Sequence, residues 1–112
     1  MAKHVFVVLT NAAPGKEDAF NAWYTHQHIP DVLAIPGVVA AQRFTLSGDQ
    51  RAQPPYPYKY LALYELETDD LKGVLATLNE RAGTSAMVIS DAIDQQRLAW
   101  IFQPITERVE AS

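Results

Sequence analysis

At 112 residues, with 48% apolar and 20% charged side chains, the chain has the size and balance of a single soluble domain spanning 1–112. A formal charge of -4 with scattered Lys and Arg argues against a nucleic-acid surface. The absence of cysteine excludes thiol catalysis, disulfides and iron–sulfur ligation. Met1-Ala2-Lys3-His4 runs directly into a strand-like segment, and no apolar run approaches the roughly 18 residues of a membrane span. The expectation is a cytoplasmic protein without membrane or nucleic-acid partners.

Val5 to Thr10 is a β-branched apolar run closed by turn residues at Asn11 to Gly15. From Lys16 to Ile35 the residues Phe20, Trp23, Tyr24, Gln27, His28 and Asp31 recur at spacings of three and four, predicting a helix with these side chains on one face. Glu17 and Asp18 fall in its first turn, where the helix dipole favours anions. Pro30 cannot donate to the carbonyl of His26, which predicts a kink or restart beside His28. Pro36-Gly37 ends the segment. Val38 to Leu46 reads as a second strand, and Lys59 to Leu66 as a third. Between them, Ala52 to Pro57 carries three prolines and cannot be a central strand; it is a loop that could serve as a lid. Thr68-Asp69-Asp70 caps a helix starting near Leu71, with Val74, Leu75 and Leu78 as its apolar stripe and Gly83 as its end signal. Ala86 to Ala92 is a short helix or a loop, and Arg97 to Gln103 is the last strand. The order β-α-β-β-α-β predicts a ferredoxin-like α+β sandwich: a four-stranded antiparallel sheet with helices on one face.

Period-two alternation sorts the strand residues into two sets. Val5, Val7, Leu9, Leu61, Leu63, Ala99 and Ile101 form an aliphatic set suited to lie under the helices. Phe6, Val8, Thr10, Gln42, Phe44, Tyr60, Ala62, Tyr64, Trp100 and Phe102 form an aromatic set left on the open face. Burying a large aromatic contributes about 1.5–3 kcal/mol, so an open face of this kind predicts a homodimer formed sheet to sheet. The same aromatics, with the polar tips of Tyr60, Tyr64, Gln42 and Trp100 and with His28 nearby, have the composition of a small-molecule pocket.

The pair Trp23-Tyr24, the run His28-Ile29-Pro30 and Pro36-Gly37 eight residues after the histidine, all following an early strand, resemble the dimeric α+β barrel superfamily. The likeness is nearest to its EthD-like (ethyl tert-butyl ether degradation) branch. The resemblance implies two sheets closing into an α/β barrel, with a cleft between each sheet and its first helix and His28 at the family's histidine position. Asp31 stands where other members often carry an apolar residue. The superfamily holds cofactor-free monooxygenases, cyclases, muconolactone-type isomerases, haem proteins and members of no known activity, so it does not select a reaction.

His28 is the candidate general acid or base; as an alternative it bonds a carbonyl freed by Pro30. His26 points roughly 200° away and toward solvent. Asp31 could orient the imidazole as a triad acid does, or cap the turn after Pro30. Tyr64 and Tyr60 could steady an oxyanion or pack at the interface. Trp23, Tyr24, Phe6, Gln42 and Trp100 are candidate substrate contacts. Arg43 either binds a substrate carboxylate or pairs with Glu65. No metal-ligand spacing, phosphate loop, dinucleotide fingerprint or nucleophile elbow is present. The chain therefore reads as a cofactor-independent catabolic enzyme, of lyase, isomerase or cyclase type, moving a proton on an apolar aromatic or lactone-like metabolite. The alternatives are a cofactor-free monooxygenase, a non-catalytic carrier of a hydrophobic metabolite, and a haem protein.

Overall fold

A computed structural model describes all 112 residues. Four strands, β1 (Lys3–Thr10), β2 (Val38–Thr45), β3 (Tyr60–Glu67) and β4 (Leu98–Phe102), form one antiparallel sheet in the order β2-β3-β1-β4. The first helical run comprises α1 (Glu17–Trp23), a π-helical turn (Tyr24–His28) and α2 (Ile29–Leu33); α3 (Leu71–Arg81) is the second. This is the ferredoxin-like arrangement that the element order predicts. No helix is long and apolar enough to cross a membrane.

The kink predicted at Pro30 is replaced by a wider turn. His28 and Ile29 keep right-handed helical backbone, at φ -67 and ψ -47 and at φ -56 and ψ -50, and Ile29 N–H donates five residues back to the Tyr24 carbonyl. One extra residue in the turn lets the helix continue past an imino nitrogen that has no proton to give. It also rotates the face: Phe20, Tyr24, Val32 and Ile35 are buried, whereas Gln27 is exposed.

A second insertion lies in β2. Val38 pairs with Leu66, but Ala40 already pairs with Glu65, so the strand bulges at Val39. Because side chains alternate with period two, one extra residue exchanges the faces of all that follow. Ala41 and Arg43 consequently pair with Tyr64 and Ala62 beneath the helices, while Gln42 and Phe44 pair with Leu63 and Leu61 on the open side.

The faces differ from those read in the sequence. The helix-covered face carries Phe6, Val8, Thr10, Tyr60, Ala62, Tyr64 and Leu66, together with Ile101. The open face carries Val5, Val7, Leu9, Leu61 and Leu63, joined by Trp100 opposite Val7 and Phe102 opposite Val5. Alternation groups residues within a strand but fixes neither the direction of each group nor the phase between strands. The tyrosines settle the direction here, since their hydroxyls find partners under α1. The open face is still apolar: Trp100 is 57% exposed, Phe102 50% and Phe44 40%.

Asp70 caps α3, its carboxylate accepting from Gly73 N–H at 3.0 Å, as the Thr-Asp-Asp signal implied. Residues 82–97 form an irregular segment rather than a helix. It is sewn to the turn after β1 by Ala13 N–H donating to the Ala92 carbonyl (2.6 Å) and Asp94 N–H to that of Asn11 (3.0 Å). It delivers Met87, Ala92 and Ile93 to the core.

Candidate active site

His28 occupies the end of the π-helical turn. Its ring stacks on Trp23 (centroids 4.7 Å apart, planes at 27°) and meets Tyr24 edge-on (4.9 Å, 86°). Its Nδ1 is buried without a hydrogen-bond partner, so the alternative in which this nitrogen holds a carbonyl freed by Pro30 is not what the chain adopts. Burial lowers the His28 pKa from 6.5 to about 4, opposed by the charge of Asp31 and assisted by that of Arg97. The imidazole is therefore neutral at pH 7 and retains an unshared acceptor or donor in an aromatic box. His4 Nδ1 is likewise buried without a partner, so what sets His28 apart is the aromatic box around its ring.

Trp23, partly buried, donates its indole N–H to the Val88 carbonyl at 3.1 Å, tying the box to the 82–97 segment. Tyr24 and Tyr64 are each 1% exposed, with their hydroxyl oxygens 3.5 Å apart. Burial raises both phenol pKa values, so both remain protonated near neutrality. Phe6 packs its ring against Tyr64 at 5.7 Å.

A polar chain runs along the β2 side of α1. Lys59 and Tyr60 both donate to Glu17, and Asn21 donates to the Tyr60 oxygen at 3.2 Å. Arg43 donates from Nη2 to Asn21 Oδ1 and from Nη1 to Thr25 Oγ1, each at 2.9 Å. Its guanidinium carbon lies 4.6 Å from the Tyr24 ring centre, 5.5 Å from that of Phe20 and 5.6 Å from that of Tyr60. The pairing of Arg43 with Glu65 considered from sequence does not form; the bulge turns Arg43 toward the helix instead.

The fold thus gathers Trp23, Tyr24, His28, Phe6, Tyr64, Tyr60 and Arg43 on the helix side of the sheet. Asp31 lies one turn beyond His28 and acts on it through charge. Gln42 and Trp100 stand on the opposite side, among the open-face residues. Asn21 and Thr25, which hold Arg43, were not singled out from sequence, although their i, i+4 spacing marks a shared helical flank. Two grooves lie away from His28. One, of about 730 Å³, sits at the start of α1 beside Asn11, Lys16, Glu17, Lys59 and Tyr60. Another, of about 610 Å³, separates the Lys3 end of β1 from residues 102–108.

Fold and site together define a ferredoxin-like α+β domain with an aromatic, histidine-bearing helix over its sheet. No protein-family model and no curated protein matches the sequence. Solved structures do match in shape. An EthD-like protein from Ralstonia eutropha is 16% identical with a TM-score of 0.67, the match covering 96% of each chain. A dimeric ferredoxin-like protein of unknown function from Thermobifida fusca is 16% identical with a TM-score of 0.54, covering 92% of each chain. MhuD, solved with two manganese protoporphyrin IX molecules per active site, is 13% identical with a TM-score of 0.61, covering 96% of this chain and 99% of that one. The likeness extends over nearly the whole chain and establishes the fold, that of the EthD-like and dimeric ferredoxin-like proteins.

Proposed function

We infer that the chain is a small, cofactor-independent enzyme in which His28 transfers a proton to or from an apolar, oxygenated metabolite of aromatic or lactone-like type. The observation that carries this reading is the buried, unpartnered Nδ1 of His28 between Trp23 and Tyr24. A neutral imidazole in an apolar box is a stronger base toward a bound carbon acid than its low pKa in the empty site suggests, because a developing negative charge beside it stabilises imidazolium. Tyr64 and Tyr24, held protonated, are the donors for the oxygen on which that charge collects. Lyase, isomerase and cyclase chemistry all begin with this step. Cofactor-free oxygenation begins with it too, but needs a substrate electron-rich enough to reduce oxygen.

Trp23 stacks on one face of the His28 ring, so a ligand that meets that face displaces it. Its bond to exposed Val88 in the 82–97 segment is the tether that then breaks or moves.

The open apolar face supports a homodimer closed sheet to sheet, the arrangement in which an α/β barrel would form. Crystals soaked with small aromatic acids and lactones, combined with assays of His28→Ala, test the catalytic reading. The expected result is a ligand oxygen within hydrogen-bonding distance of His28 and loss of product formation in a variant that remains folded and dimeric. A variant that changes affinity modestly, in a protein that never forms product, would instead support a carrier.

A further inference from the structure

The charge of Arg43 has no acid to answer it. Its two hydrogen-bond acceptors, Thr25 and Asn21, are neutral, and its other neighbours are the rings of Phe20, Tyr24 and Tyr60. The one carboxylate in the same polar chain, Glu17, is already taken by Lys59 and Tyr60. A half-buried guanidinium has lost part of its hydration, and the cation–π contacts return only part of that cost. A guanidinium offers five N–H donors in a planar fork; the two bonds here leave the others for a ligand.

The bulge in β2 puts it there. The bulge at Val39 turns Arg43 rather than Gln42 toward the helices, and the π-helical turn contains Thr25, which receives its Nη1–H. Either insertion alone disturbs regular pairing, and both kinds recur where a side chain is re-aimed for function. Here they meet at a single hydrogen bond. Arg43 also lies on an edge strand, β2, with exposed Thr25 beside it, so an anion can reach the fork without crossing the core.

We propose that Arg43, oriented by Asn21 and Thr25 and backed by Tyr24, binds the carboxylate of a small organic acid, making the ligand of this protein an acid anion rather than a neutral compound. Tyr24 is shared: it carries the guanidinium at 4.6 Å and the His28 ring at 4.9 Å. The anion site is thus next to the proposed base. Only the identification of the bound acid as substrate rests on the proton-transfer reading; anion binding does not.

Calorimetric titration of the full chain with benzoate, phenylacetate and 2-naphthoate, each against its carboxamide, tests the proposal. The expected result is that at least one acid binds more tightly than its amide by about tenfold or more, as a bidentate charge-assisted pair allows. Arg43→Gln should abolish that preference, and Arg43→Lys, which keeps charge but loses the fork, should retain part of it. The titration reads binding alone and the His28→Ala assays read product, which separates failure of this site from failure of the catalytic reading. Equal binding of acids and amides, no binding of any acid, or an unchanged preference in Arg43→Gln with its melting temperature preserved would overturn it.

Discussion

His28 is the residue at which packing and chemistry conflict most openly. Folding buries its ring between Trp23 and Tyr24 and lowers its pKa from 6.5 to about 4. Between those values the unfolded chain binds more protons than the native one, so stability must fall as pH falls through that window and be independent of His28 above it. The full shift corresponds to a loss of about 3 kcal/mol by pH 4, and less if water reaches the ring. Urea titrations from pH 7 to pH 4 check this: His28→Gln should flatten the slope, whereas an unchanged slope would show that the ring is not desolvated. Trp23 offers a second reading at this scale. In Trp100→Phe, indole fluorescence reports Trp23 alone, and any ligand that enters beside His28 should shift its emission. A ligand that binds without such a shift is bound elsewhere. The histidine, its aromatic neighbours and the proline beside it were legible in the sequence because they are adjacent along one helix. The partners of Arg43 were not, because they depend on a register that no single segment states.

At the scale of elements, both departures from prediction are one-residue insertions. The pattern of Lys16 to Ile35 identified the helix, but Pro30 predicts a gap without saying whether the chain kinks or widens to absorb it. Likewise the alternation in Val38 to Leu46 identified β2, yet the bulge at Val39 is visible only through the pairing of Val38 and Ala40 with β3. Deleting Val39 should restore unbroken alternation with Ala40 still opposite Glu65 and Arg43 still opposite Ala62 beneath the helices, changing stability in urea unfolding by no more than about 1 kcal/mol. A deletion variant destabilised by several kcal/mol would mean that the register from Ala40 onward is not kept without the bulge. Gly37 closes the preceding turn at φ +100, with room for a Cβ only 2.8 Å from a Val74 methyl. Gly37→Ala should cost about 1–3 kcal/mol in thermal or chemical unfolding, and a neutral outcome would show that the Val74 contact yields easily. The core contribution of residues 82–97 had no periodicity to announce it; Met87, Ala92 and Ile93 are buried by a segment held through backbone bonds to the 11–13 turn.

For the whole molecule, the element order and its ferredoxin-like consequence could be read directly, whereas which side of the sheet the helices cover could not. The reversal leaves the case for association standing, because the open face trades tyrosines for aliphatics and keeps Phe44, Trp100 and Phe102. Sedimentation should find a dimer that the pair Trp100→Asp and Phe102→Asp converts to a folded monomer; a wild-type chain that is monomeric at micromolar concentration would refute sheet-to-sheet pairing. That His28 moves a proton is the central claim, and carbon-bound hydrogen exchange tests it most directly. Aromatic acids and lactones incubated with the protein in deuterium oxide, followed by nuclear magnetic resonance, should show deuterium entering at least one compound. The same compound should remain unlabelled with folded His28→Gln. Labelling at equal rates with both proteins, or with neither across the panel, would contradict the claim.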